Sequence, residues 1–156
     1  MIDVKTVGND QIVGETTIEA SPETIFAALT QPEQLKTWWG DDQVYRADKW
    51  SIDLRIGGKY RSEGKGVNGD AFVVEGEYVE IDPPRVLSYI WRPSWADKKQ
   101  TTVRFVLTPK GNGTHLHMTH SGFAEETARQ NHAQGWPLVL GWLKNFTERQ
   151  QLVRVH

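Results

Sequence analysis

The chain of 156 residues contains no cysteine. That excludes disulfides, thiolate metal sites and a cysteine nucleophile together. It also lacks excess charge: 18 Lys plus Arg against 20 Asp plus Glu leave a formal net charge of −2. The basic residues are scattered, with no run longer than Lys98-Lys99. Nothing therefore draws the chain to a phosphate backbone or an anionic lipid surface, and neither nucleic acid nor membrane is an expected partner. Long apolar runs are missing too. The longest, Trp136 to Leu143, has eight residues including a Pro and a Gly, whereas a bilayer crossing needs about 20. The first residues, Met1 to Gly8, carry no apolar signal region, so a cytoplasmic protein is expected. Absent as well are a Gly-x-Ser-x-Gly elbow, a phosphate loop, repeats and low-complexity tracts.

What the chain does have is tryptophan: seven, although only 38% of its residues are hydrophobic. Large aromatics in a small domain either fill the core or line a cavity, and the length suits one domain spanning 1–156. After a loose or strand-like lead-in over 1–11, Ile12 to Ala20 alternates as a strand does. Ser21-Pro22-Glu23 supplies an N-cap, a Pro at the first helical position and a first-turn acid. Pro32 opens a second short helix carrying Leu35 and Trp38-Trp39, with Gly40 as its stop.

Strand patterns then follow at 50–55, 59–65, 71–82, 85–92, 101–109 and 114–121, broken by Gly57-Gly58, Pro83-Pro84 and Gly111-Asn112-Gly113. The tail reads as a helix. Trp136, Val139, Leu140, Leu143 and Phe146 form one apolar stripe, and Pro137 predicts a kink or break near Gly135-Trp136. A meander of six to seven antiparallel strands curls, and only this last helix is long and apolar enough to cover its concave face. The expectation is an α+β fold, a curved sheet around a C-terminal helix with two short helices after the first strand.

At these positions the sequence resembles the START-like, helix-grip superfamily, which includes the major birch-pollen allergen and polyketide cyclases. Within it the chain is similar to the family named for the C-terminal domain of the activator of the ninety-kilodalton heat-shock-protein ATPase. The resemblance lies in 20–26 (ASPETIF), Trp38-Trp39, 53–60 (DLRIGGKY), 76–84 (GEYVEIDPP), Leu87–Trp91, Gly113-Thr114 into 119–123 (THSGF), and Gly135-Trp136. It implies a cavity between sheet and helix. The resemblance further implies one of three roles: binding of a small hydrophobic or aromatic ligand in that cavity, a polyketide cyclase or aromatase-like lyase reaction there, or a co-chaperone-like stress-response interaction module acting through its surface. Of these, a binding protein without catalysis is the leading expectation. In the eukaryotic activators the matching domain is only the second half, so stand-alone activation is not expected.

Strand and helix phase place Tyr60, Tyr89, Trp91, Phe105 and Met118 inward toward Trp136, Leu140 and Leu143, with Trp39 at the mouth; these and His120 are the expected ligand-binding residues. His120 shares a face with Leu116 and Met118. If catalysis occurs it is the candidate, with Glu77 (in phase with Val79 and Ile81) as its acid and Arg55 as the compensating charge. His115 and His117 share the opposite face, where Arg104 and Val106 rather than an acid are expected across the strand, so no metal and no other cofactor is expected. Gly64 to Asp70 reads as a flexible hairpin near one end of the cavity. Leu138 and Trp142 point away from the main stripe, either to pack under the short helices or to offer a homodimer surface.

Overall fold

The computed structural model describes residues 2–96 and 99–155. One antiparallel sheet of nine strands forms the body, in the order β1-β2-β9-β8-β7-β6-β5-β4-β3. The strands are β1 (Asp3–Val7), β2 (Gln11–Ile18), β3 (Gly40–Asp41), β4 (Tyr45–Ile52), β5 (Lys59–Gly66), β6 (Ala71–Asp82), β7 (Val86–Pro93), β8 (Thr101–Lys110) and β9 (Gly113–Ser121). Helices α1 (Pro22–Thr30) and α2 (Pro32–Trp38) follow β2, and α3 (Glu126–Val155) closes the chain. The count exceeds the expected six to seven because the lead-in forms β1 and the two-residue β3 extends the other edge. Both are too short or too polar to announce themselves by alternation.

Local chemistry explains the helix boundaries. The Ser21 hydroxyl accepts from the Thr24 amide at 3.2 Å and Pro22 stands at the first helical position. The indole of Trp38 donates to the Ala28 carbonyl at 2.8 Å, tying α2 back onto α1. Helix α3 runs unbroken through Pro137, so of the kink or break expected there, the break does not occur. Pro137 lies on the exposed face, where the carbonyl it cannot bond can turn to water. The predicted stripe is buried: Trp136 at 4% exposure, Val139 at 6%, Leu140 and Leu143 at 0%. Arg129, near the start of α3, donates to the Gly8 carbonyl at 2.9 Å and pairs with Glu126, pinning the helix to the β1–β2 turn.

Two irregularities set which side chains face the helix. The β6–β7 register shifts between Tyr78 and Glu80, so one extra residue reverses the phase along β6. Ile81 packs on the core, but on the other side of the shift Val74, Gly76 and Tyr78 are the buried positions. A second shift, between Ala47 and Lys49 of β4, puts Tyr45 and Ala47 in one inward phase and Trp50 and Ile52 in the other. Gly76 is required where β6 meets β7: a Cβ there would lie 1.8 Å from the Ile90 carbonyl oxygen. The Tyr60 hydroxyl donates to that same oxygen at 2.7 Å.

Candidate functional site

Between α3 and strands β4 to β7 lies a cavity of about 460 Å³, within the rough 300–1,000 Å³ range of small-molecule sites. Five of the seven tryptophans line it: Trp39, Trp50, Trp91, Trp95 and Trp136. Six aromatic side chains of the wall form a closed chain of contacts. Trp39 stacks on Trp91 at 6.1 Å, Trp91 meets His132 edge-on at 6.3 Å, and His132 stacks on Trp95 at 6.2 Å. Trp95 then meets Phe72 at 6.0 Å, Phe72 meets Tyr45 at 5.4 Å, and the Trp39 indole returns to the Tyr45 hydroxyl at 3.2 Å. Val44, Gly66, Asp70, Ala71 and Asn131 contribute the rest of the mouth, so the β5–β6 hairpin does border the opening.

The N–H edges of four of these indoles are bonded within the protein. The Trp50 indole donates to the Ala47 carbonyl at 2.6 Å, Trp91 to His132 Nε2 at 3.2 Å, and Trp136 to His120 Nδ1 at 3.0 Å. With Trp39 bonded to Tyr45, four of the five lining tryptophans offer a ligand their π faces and no N–H. Burial raises the Tyr45 hydroxyl above the usual phenol value.

Both histidines near the wall are neutral, with opposite tautomers. His132 Nε2 accepts from Trp91, so its proton is on Nδ1, which donates to the Ala128 carbonyl at 2.8 Å. His120 Nδ1 accepts from Trp136, so Nε2–H donates to the Thr101 hydroxyl at 2.6 Å. Burial holds both rings below the ordinary imidazole value, and for His120 the neighbouring His132, 5.2 Å away between ring centres, adds to the effect.

Of the expected ligand-binding residues, Trp39, Trp91 and Trp136 line the cavity. His120 faces inward as its phase predicts but sits behind Trp136, outside the wall. Tyr60, Tyr89, Phe105, Met118, Leu140 and Leu143 instead form the closed core: Tyr60 packs edge-on against Tyr89 at 5.3 Å, and Tyr89 lies 6.4 Å from Phe105. The His120–Glu77–Arg55 set does not assemble. The phase reversal in β6 turns Glu77 outward, where its carboxylate is 40% exposed and 4.0 Å from Arg92. Arg55 is 75% exposed and bonds Asp53 instead. An acid does lie across from the paired histidines, since His115 Nε2 is 3.2 Å from Glu15 on β2. The expectation of Arg104 and Val106 considered only β8. No cluster able to hold a metal occurs among the described residues. Trp142 packs edge-on against Tyr45 at 5.6 Å, while Leu138 is 44% exposed.

The residues that phase reasoning missed are Trp50, Phe72, Tyr45, Trp95 and His132. Phase alone carried a signal for the first three: inward aromatics on both sides of a one-residue slip mark a bulge. Trp95 and His132 belong to a short loop helix (Ser94–Ala96) and to the polar start of α3, and no periodicity marks them.

A curved antiparallel sheet gripping a long C-terminal helix, with a hollow between them, defines a helix-grip protein of the START-like class. The chain belongs to the family described as activator of Hsp90 ATPase homolog 1-like protein, whose model matches residues 19–148. Solved structures agree. A Rhodobacter sphaeroides protein matches 98% of this chain and 99% of its own at TM-score 0.82 and 21% identity. A Mesorhizobium loti protein matches 89% and 97% at TM-score 0.73 and 28% identity. An AHSA1-like protein from Aeromonas hydrophila matches 90% and 93% at TM-score 0.75 and 22% identity. No curated protein matches the sequence. Among the described residues, no helix is long and apolar enough to cross a membrane.

Proposed function

We propose that the protein binds a small hydrophobic or aromatic molecule in the cavity between α3 and strands β4 to β7, as a carrier or sensor rather than a catalyst. The observation that carries this reading is the closed aromatic chain around a hollow of about 460 Å³. A core built only for stability interdigitates such rings and leaves few voids larger than water. Here the rings surround a hollow, and four of the five tryptophans are anchored to the protein through their N–H. That arrangement pre-forms a site and lowers the ordering cost of binding.

A cyclase-like reaction in the same cavity would need a group free to move a proton. His132 is the imidazole in the wall, and both its nitrogens are already engaged with Trp91 and Ala128. Binding without turnover is therefore favoured. Titration of intrinsic tryptophan fluorescence with apolar and aromatic metabolites tests the proposal. Saturable quenching, with the added compound recovered unchanged, is the expected result. A flat response across the panel would turn attention to protein partners.

A further inference from the structure

Most buried hydroxyls and imidazoles among the described residues are bonded within the protein. Thr30, Ser88, Thr114 and Thr147 each donate to a backbone carbonyl, at 2.8, 3.0, 2.7 and 2.7 Å respectively. His120 has both nitrogens bonded, and Arg129 is bonded to carbonyls and to Glu126. Ser62 stands apart because it lies in the cavity wall, where the likewise unbonded Tyr78 and Tyr89 among the described residues do not. It is 3% exposed, lies in the cavity wall, and its hydroxyl has no hydrogen-bond partner among the described residues. Its side chain takes the inward phase of β5 between buried Tyr60 and Gly64. Its cross-strand neighbours are Trp50 and Val74, both of which line the cavity.

The Ser62 hydroxyl is not among the sealed, unbonded polar atoms of the described residues and so opens to the cavity, where only water or a ligand can bond it. The rest of the wall narrows what that ligand is. Lys and Arg are absent from it, and its one acid, Asp70, belongs to the exposed hairpin at the mouth. The indole N–H groups of Trp39, Trp50, Trp91 and Trp136 already donate within the protein. An anion entering here would lose its hydration, meet no cation and face the negative π faces of the rings. A neutral aromatic body would gain the same faces by stacking.

We infer that Ser62 is a specificity-determining residue and that the cavity takes an uncharged aromatic molecule carrying one hydroxyl or carbonyl group, bonded to the Ser62 hydroxyl. This rests on the reading of the cavity as a ligand site. The ligand enters polar group first, between Trp50 and Val74, and leaves its apolar rim under Trp95 and Phe72.

Equilibrium dialysis with naphthol, naphthalene and naphthoate tests the inference on the wild type, Ser62→Ala and Ser62→Thr. Wild type binds naphthol about tenfold more tightly than naphthalene, the effect of one buried hydrogen bond, and binds naphthoate most weakly. Ser62→Ala removes the preference for naphthol over naphthalene, and Ser62→Thr, which retains a hydroxyl, restores much of it. Equal binding of naphthol and naphthalene by wild type, or an unchanged preference in Ser62→Ala, overturns the inference while the cavity remains a ligand site. Binding of none of the three overturns the site along with it.

Discussion

Helix α3 covers two different surfaces with one apolar stripe. Against β2, β8 and β9 it closes completely. Ile12, Leu107, Leu116, Met118, Leu140 and Leu143 are each 2% exposed or less, and the backbone comes so near that a Cβ on Gly14 would lie 2.9 Å from the Leu140 side chain. Against β4 to β7 the same helix leaves a hollow walled by Trp39, Trp50, Trp91, Trp95, Phe72 and Tyr45. Aliphatic side chains carry no directional edges and slide until the gap is filled. Indole rings with bonded N–H edges cannot slide, so the space between them stays open. The hollow thus follows from residue type on the strands and loops that face the helix, and the two halves answer mutation differently.

The largest expected effect belongs to the closed half. Leu140→Ala removes a fully buried side chain and costs about 3–4 kcal/mol in denaturant unfolding, with ligand affinity little changed in the protein that remains folded. An acid pH comes next. His120 and His132 are held neutral in the fold while the unfolded chain protonates near pH 6.5, so the unfolded state binds more protons below that pH. Stability contributed by the neutral rings is present above about pH 6.5 and falls as the pH drops, by about 1.4 kcal/mol per pH unit for each histidine until its folded value is reached. Urea titrations between pH 7 and 5 measure this slope, and His132→Gln reduces it. A slope unchanged in that variant contradicts the assignment.

The open half predicts an inversion of the usual link between filling and stability. Gly135 lines the cavity, and nothing lies within 4 Å of the position its Cβ would take. Gly135→Leu therefore starts its side chain in open space and extends it into the hollow; it is expected to gain roughly 0.5–1 kcal/mol of helix propensity while ligand binding is lost. Thermal unfolding and a fluorescence titration on the same sample read both effects. Smallest for stability is Trp95→Ala, since that ring is 58% exposed. It shifts the unfolding free energy by no more than about 0.5 kcal/mol and weakens aromatic ligands severalfold by removing one side of the mouth.

The sequence is informative about the closed half and misleading about the open one for the same physical reason. Alternation in β8 and β9 is unbroken, so the inward placement of Phe105, Met118 and His120 follows directly from a period of two. The stripe from Trp136 to Leu143 follows equally from a period of 3.6. In β4 and β6 one extra residue reverses the phase. Counting back from Ile81 across that slip puts Glu77 inside, when Gly76 and Tyr78 occupy the interior. A bulge also bends its strand and raises the local twist, and both bulged strands, β4 and β6, border the hollow.

The central claim is that five particular tryptophans surround the ligand. Naphthol titrated into nitrogen-labelled protein, followed through the indole N–H resonances, addresses it directly. The account predicts saturable shifts for Trp39, Trp50, Trp91, Trp95 and Trp136, with Trp38 and Trp142 moving least. Shifts confined to Trp38 and Trp142, or no saturable shift at any indole, would contradict it.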